Sequence, residues 1–339
     1  MDSRCSGLLQ NIGSEKYEGL TAEMAQRVDE SYLITGAAGF IGSHLTRRLV
    51  HNGYDVHVLV RSTSDLFRIA DLKDRVKVHT ADLTDASAVT SAIEAVRPDG
   101  VFHLAASNIR RGVTAGDKDV VNVNILGVRN LLEALKNHVY RFFIQTGSFL
   151  EYGVSHRPVR ETDRCEPSEL YSVTKLAATR YGQAVAKRAG KPIVGFRIFT
   201  PYGPAIQPKR FVCEVISHAL KNEPIDLTVP DVSRDFIFVE DLVDLLIEAS
   251  QKANDCKGHV FNAGSGVSTP LKDFLDAVVR ETNSLSQLNW NKYPLLAYDS
   301  KFWQADMEKT FNHFVWRPQH NVEDGIKKTV EWFKNNYAK

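Results

Sequence analysis

Cysteine is scarce and scattered in this chain. Cys5, Cys165, Cys213 and Cys256 are the only four in 339 residues, and none forms a C-x-x-C pair. Neither a disulfide framework nor a zinc knuckle is expected, and a reducing cytoplasm is the expected compartment. An excess of one charge is also missing, since 42 basic and 41 acidic residues leave a net +1. That removes the usual electrostatic case for a non-specific nucleic-acid or membrane-surface binder. No apolar run approaches the roughly 18 residues of a membrane span. The N-terminal MDSRCSGLLQNIGSEKYEGL lacks the basic-then-apolar pattern of a signal peptide. Repeats, low-complexity tracts and His/Cys/carboxylate clusters at metal-ligand spacing are absent too, so no metal is expected. What remains is a globular composition, 43% hydrophobic and 24% charged. It suits two domains, or one large domain with an appendage.

Residues 1–30 are polar, broken by Gly13 and Gly19, and read as an extension with one short helix over Thr21–Val28. From Ser31 the texture changes. Strands are expected at Tyr32–Thr35, Asp55–Val60, Val76–His79, Gly100–Leu104 and Arg141–Thr146, and helices at Phe40–Asn52, Ala86–Val96 and Val121–Asn137. In the first helix Ile41, Leu45 and Leu49 make one apolar stripe. Strands alternating with helices of this length imply parallel β-α-β units, hence an α/β fold with a doubly wound parallel sheet. After Phe199 the chain is richer in Pro and Gly. A helix is expected at Phe211–Lys221, strands near Ile225–Val229, Phe236–Phe238 and His259–Asn262, and helices at Leu271–Asn283 and Val322–Asn335. The expected division is a cofactor domain over 31–199 plus about 236–262. A smaller, partly interleaved substrate domain takes 200–235 and 263–339.

Gly36, Gly39 and Gly42 stand between a strand and a helix that starts at Phe40 and Ile41. Glycine is needed where a backbone turns tightly, approaches a pyrophosphate or packs helix on sheet. The free N–H groups of the helix start then hold the phosphates. A dinucleotide site is the reading, against a purely structural turn. The end of the second strand discriminates between cofactors, because NAD sites usually place a carboxylate there. Here Arg61 and Ser62 follow Val60 and no acid appears until Asp65. The guanidinium fork suits a 2′-phosphate, which favours NADP, with NAD the alternative if Arg61 is only a solvated loop residue.

Tyr171 and Lys175 fall one helical turn apart on one face, in YSVTK. An ammonium near a phenol lowers the phenol's pKa and makes it a usable proton donor or acceptor. The preceding strand ends in Gly147-Ser148. A hydroxyl at a strand's C-terminal end faces the crevice where such sheets bind ligands. His103, inside an apolar strand, reads equally as a satisfied core histidine or as a neighbour of the cofactor.

These residues carry a resemblance. TGAAGFIGSHL, Ser148 ahead of Tyr152-Gly153, YSVTK, FRIFTPYGP, the Arg234–Val239 segment RDFIFV, FNAGSG and the terminal WRP…GIKKTVEWF occur in order over about 31–335. The chain resembles the extended short-chain dehydrogenase/reductase family of sugar-nucleotide enzymes. The resemblance implies a Rossmann sheet and hydride transfer between a nicotinamide and a sugar carbon. Tyr171 would exchange the proton on the sugar oxygen, Ser148 would hydrogen-bond that oxygen, and Lys175 would bind ribose and tune Tyr171. Asp82 and Leu83 match the adenine contact; Leu104, Ala105, Ala106, Asn124 and Phe199 match cofactor positions. On the substrate side it implies Ser107, Ser148, Thr200, Arg234 and Arg210, although Arg210 reads equally as a helix-cap charge. A homodimer through Val121–Asn137 and Ser168–Ala189 is a further implication.

Departures from the family pattern narrow the reaction. Sugar-nucleotide 4,6-dehydratases carry an Asp-Glu pair directly after the catalytic hydroxyl, where this chain has Phe149-Leu150. Decarboxylating relatives want Glu at Leu150's place, and Glu151 is one position off. Thr200 stands where many relatives have Asn on the diphosphate, and the turn before Arg234 is shortened. Two reactions need only Ser, Tyr, Lys and nicotinamide. The reading favoured by Arg61-Ser62 is NADP-dependent reduction of a nucleoside-diphospho-4-keto-6-deoxyhexose. The alternative is an NAD-dependent 4-epimerase of a nucleotide sugar, and a non-catalytic sensor on the same fold stands further off.

Overall fold

The computed structural model describes residues 30–107, 116–295 and 300–337; the helix expected over Thr21–Val28 lies outside them. The first half alternates as expected. It runs β1 (Ser31–Thr35), α1 (Phe40–His51), β2 (Asp55–Val60), a 3₁₀ turn (Phe67–Leu72), β3 (Lys77–Thr80), α2 (Ala86–Val96) and β4 (Gly100–His103). Next come α3 (Asp117–Val121), α4 (Gly127–Ala134), β5 (Phe142–Ser148), a second 3₁₀ turn (Phe149–Tyr152), α5 (Leu170–Ala189) and β6 (Ile193–Ile198). The single helix expected over Val121–Asn137 starts earlier, at Asp117, and carries a π turn, Asn122–Leu126, between α3 and α4. Such a bulge is commonly found at a functional site.

The second half holds β7 (Thr200–Tyr202), α6 (Phe211–Lys221), β8 (Ile225–Asp226), β9 (Ser233–Phe238), α7 (Val239–Gln251), β10 (Val260–Ala263), β11 (Ser268–Pro270) and α8 (Leu271–Thr282). It ends with β12 (Leu288–Asn289), α9 (Glu308–His313) and α10 (Val322–Tyr337). The reading above names no element between 239 and 258, yet the buried run Leu242, Leu245, Leu246, Ala249 on α7 has helical spacing.

Seven parallel strands form the main sheet in the order β10-β6-β5-β4-β1-β2-β3. Its central strands β4, β5 and β6 are buried along their whole length, as a sheet covered by helices on both faces requires. The edge strand β3 is mostly exposed and carries Lys77, which discourages pairing with another chain. The chain winds one way from β1 through β2 to β3, and the other way from β4 onward. The C-terminal ends of β1 and β4 therefore border a topological switch point, with Thr35 in register with His103.

The short strand expected at Phe236–Phe238 belongs to β9, which pairs with β7 and β11 in a separate three-stranded sheet. Its side chains alternate between two cores. Ile237 joins the main-sheet cluster, whereas Phe236 and Phe238 join a second cluster with Phe274, Ile326 and Phe333 from α8 and α10. Phe236 stacks on Phe274 at 4.2 Å between ring centroids. Each such side chain, fully buried, contributes roughly 1.5–3 kcal/mol. Phe40, the first residue of α1, also belongs to this second cluster. The helix that follows the glycine turn is thus gripped from both halves of the molecule.

Candidate active site

The glycine turn is shaped by backbone approaching backbone. Gly36 has φ +76°, and a Cβ there would lie 2.7 Å from Ala105 N. A Cβ on Gly42 would lie 2.0 Å from Gly36 O. Gly39 closes the turn with a 2.9 Å bond from its N–H to Gly36 O and caps α1 with extended backbone. No side chain caps α1, and its first turn holds no acid, so the helix itself supplies no anion to its N-terminal dipole. That donor set and the close glycine packing fit a dinucleotide pyrophosphate. Phe40 and Gly42 are buried, and Ile41 is half-buried.

The rim on the β2 side is open. Arg61 and Ser62 are exposed. The Asp82 carboxylate accepts from Thr84 N and Thr84 Oγ1, both at 2.8 Å. Those bonds, the backbone one foremost and with Arg61's charge adding, hold it below the usual carboxylate range. Leu83 is buried under Gly127, and its carbonyl accepts from Asn130 Nδ2 at 2.9 Å.

Across the switch point, Leu104 and Ala105 are half-buried and Ala106 is exposed. Asn124, inside the π turn, ties three elements together. Its Oδ1 accepts from Ser107 N at 2.8 Å, and its Nδ2 donates to Ser107 O and to Thr174 Oγ1, both at 2.9 Å. Thr174 donates in turn to Tyr171 O at 2.8 Å. The loop after β4 is thereby fixed to the first turns of α5, where Tyr171 is half-buried and Lys175 is 5% exposed. Burial pushes the Lys175 ammonium down to about 8, opposed by the negative charge of Glu151. His103 is a satisfied core histidine, with Nδ1 2.7 Å from Thr35 Oγ1. Burial, with Lys175's charge assisting, pushes it down to about 3, so it stays neutral.

Ser148 ends β5 and caps the 3₁₀ turn that follows. Its Oγ accepts from Leu150 N at 3.2 Å, which leaves the hydroxyl proton to a ligand oxygen. Glu151 is not exposed to a ligand: its carboxylate is fully buried and paired with Arg197 on β6, Nε to Oε2 2.9 Å. Its other oxygen accepts from Ser148 N at 2.9 Å and from Thr179 Oγ1 at 3.0 Å. The reading above passed over Arg197, Thr174 and Thr179. An arginine inside the apolar strand IVGFRI was the available signal, because a buried cation demands a partner.

On the substrate side, Phe199 is buried with its ring stacked on Phe149 at 5.5 Å, and Phe149 meets Trp303 edge-on at 4.8 Å. Thr200 Oγ1 is buried and has no hydrogen-bond partner among the described residues. Arg234 Nη1 donates to Ser233 O and Ser300 O at 2.9 and 2.8 Å. Arg210 is exposed at the N-cap of α6 and makes no side-chain capping bond there. The described residues thus gather Ser107, Asn124, Tyr171, Lys175 and Ser148 around the ends of β4 and β5. Arg210 lies outside that group. Among them no cluster of three His, Cys, Asp or Glu is arranged to hold a metal ion, and no helix is long and apolar enough to cross a membrane.

The chain is similar to known proteins along most of its length. A probable UDP-glucuronate 4-epimerase from Rhizobium meliloti (strain 1021) is 29% identical, over 91% of this chain and 98% of its own length. The dTDP-glucose 4,6-dehydratase 1 of Escherichia coli (strain K12) is 30% identical, over 90% of this chain and 92% of its own. The crystal structure of UDP-glucuronic acid 4-epimerase from Bacillus cereus, in complex with UDP-glucuronic acid and NAD, superposes with a TM-score of 0.81. It is 25% identical and covers 90% of this chain and 99% of that one. The model of the NAD dependent epimerase/dehydratase family matches residues 32–264. The chain belongs to the NAD dependent epimerase/dehydratase family.

Proposed function

We propose that this protein is an NAD-dependent 4-epimerase of a nucleotide sugar. One observation carries the reading: Phe149 and Leu150 follow Ser148, and the next carboxylate, Glu151, is buried against Arg197. No acid–base pair beside Ser148 is left for eliminating water or carbon dioxide, whereas proton exchange at one sugar oxygen needs only a phenol and a hydroxyl. Bound NAD supplies a hydride acceptor that can return the hydride. Gly36, Gly39, Gly42 and the start of α1 would hold its pyrophosphate, with Asp82, Leu83, Leu104, Ala105, Ala106, Asn124 and Phe199 around the rest. Tyr171 takes and returns the proton of the sugar hydroxyl. Ser148 donates a hydrogen bond to the same oxygen, and Lys175 keeps positive charge beside the phenol. The orphaned Thr200 Oγ1, together with Ser107 and Arg234, would face the substrate. The 4-epimerases among the similar proteins favour this over the reductase that the sequence alone suggested.

The domain division stated above, with a cofactor unit over 31–199 and about 236–262, belongs to the same reading. So does a homodimer, supported by the exposed apolar residues Val121 and Leu126, near the junctions of α3 and α4 with the π turn, and Val173 on α5. A cytoplasmic location, expected from the few scattered cysteines, belongs to the same reading.

Denaturing the purified protein and weighing the released nucleotide tests the proposal. Co-purified NAD, with C4 epimers of UDP- or dTDP-hexoses interconverted in an NMR assay, is the expected result. An empty protein that consumes NADPH with a 4-keto sugar nucleotide would replace it with the reductase. Exposed Arg61 favours that second reading. If it holds, Arg61→Ala weakens NADPH at least about tenfold, the order of one charge-assisted contact, and leaves NADH unchanged.

A further inference from the structure

We propose that Glu151 is a positioning residue for the reacting site, locking the Ser148 backbone to α5 and facing Lys175 with a fixed negative charge. The proposal rests on the reading of Ser148, Tyr171 and Lys175 as the reacting trio. Its ground is geometric. The Glu151 side chain is 0% exposed and its carboxylate has three polar partners from three elements: Ser148 N at the end of β5, Thr179 Oγ1 on α5, and Arg197 Nε on β6. Thr179 stands one turn beyond Lys175, so the bond fixes the height of α5 against the strand that carries the hydroxyl. A Cβ on Gly147 would lie 2.3 Å from Glu151 Oε1, so the strand's last glycine leaves space for this carboxylate. Arg197 is 1% exposed and lies over the Tyr152 ring, its Cζ 4.4 Å from the centroid. Tyr152 donates to Asn262 Oδ1 at 2.6 Å, which anchors the far end of the network on β10.

A buried ion pair of this kind rarely repays its desolvation through stability alone. A role in the site accounts for its place. Two of the carboxylate's bonds land on the Ser148 backbone and on Thr179, one turn from Lys175, and none of the three lands on a reacting atom. Among the described residues, Glu151 from the turn after β5 and His103 from β4 act electrostatically on or with Lys175, and Tyr171 stands one turn back on α5. Neutral His103 contributes no charge near neutral pH. Glu151 raises the Lys175 pKa against the burial that lowers it.

Glu151→Gln tests this, because glutamine keeps an acceptor oxygen and removes the charge. Lys175 is followed by NMR titration of lysine labelled with ¹³C at Cε, its signal assigned by loss in Lys175→Met. This readout needs no substrate. The Lys175 midpoint is expected to fall by about one pH unit, as loss of one nearby opposite charge implies. The alkaline limb of kcat should move down with it, and kcat should drop about tenfold or more with KM within about twofold, the pattern of a lost positioning interaction. A folded Glu151→Gln protein with its midpoint within about 0.3 pH unit and its kcat within about twofold of wild type overturns the proposal. Unpaired Arg197 can prevent folding, and Glu151→Gln with Arg197→Met then removes both charges of the ion pair. The same fall is expected there, and an unmoved midpoint overturns the proposal equally. Turnover that survives Tyr171→Phe, with the midpoint still lowered by Glu151→Gln, overturns the reaction reading and leaves the placement of Glu151 standing.

Discussion

The Gly36–Gly42 turn and the Ser148–Tyr152 turn both leave the C-terminal end of a central strand, and they are built by opposite means. The first is all backbone, and its shape follows from the absence of Cβ atoms at Gly36 and Gly42. The second is side-chain chemistry, a serine hydroxyl capping the turn and a buried glutamate reaching back to the serine's own N–H. Steric turns tolerate no added atom and are indifferent to pH. Charged turns tolerate some change of shape and respond to every charge around them. On the proposed function, the first turn serves to grip a ligand and the second stands beside the proton transfer.

The largest expected effect breaks the chemical half of this comparison. Tyr171→Phe should lower kcat by about 10²–10⁴, the usual contribution of a positioned acid–base group, while bound nucleotide is retained. A single-turnover assay beside mass spectrometry of the retained nucleotide measures both, and undiminished turnover would remove Tyr171 from the reaction. The steric half is broken next. Gly42→Ala places a methyl 2.0 Å from Gly36 O, and that overlap should cost about 1–3 kcal/mol and weaken nucleotide binding about tenfold or more. Calorimetric melting and nucleotide titration check it; a variant that binds like wild type contradicts the packing described. The third effect, absent near neutral pH, sharpens the contrast through acid. His103 ionises at about 3 in the fold against an ordinary 6.5. The unfolded chain therefore binds a proton that the folded chain refuses, so stability falls as pH drops below about 6.5, at up to about 1.4 kcal/mol per unit from this residue. Urea midpoints measured between pH 7 and 4 should decline less steeply in His103→Gln, and parallel slopes would assign the acid sensitivity elsewhere.

How much was legible follows the same line. The strand–glycine–helix signal of residues 32–52 is local in pattern, with Gly42 demanded by Gly36 close in sequence and only Gly36 by distant backbone, that of Leu104 and Ala105 after β4. It appears in the fold with α1 one residue shorter than expected. The helix carrying Tyr171 and Lys175 was legible for the same reason. The Glu151–Arg197 pair joins residues 46 positions apart, and nothing in local periodicity announces such a pair. The π turn was equally hidden, because Asn122–Leu126 reads as ordinary helix until Asn124 is seen bonding Ser107 and Thr174. β9 was harder still. Its alternation between two cores is visible as Phe236, Ile237, Phe238 in sequence, but which sheet it joins is settled by partners on β7 and β11.

The bonds around Glu151 also bear on how such a protein changes over generations. Positions 147, 151, 179 and 197 are expected to change together. A larger residue at 147 strikes the carboxylate, a neutral residue at 151 strands the arginine, and a lost hydroxyl at 179 frees the helix from the strand. Single steps away from this arrangement are penalised, so lineages that lose the glutamate are expected to have replaced the arginine with it. Variation confined to one of the two positions would mean that drift reaches this core by a route the packing does not suggest.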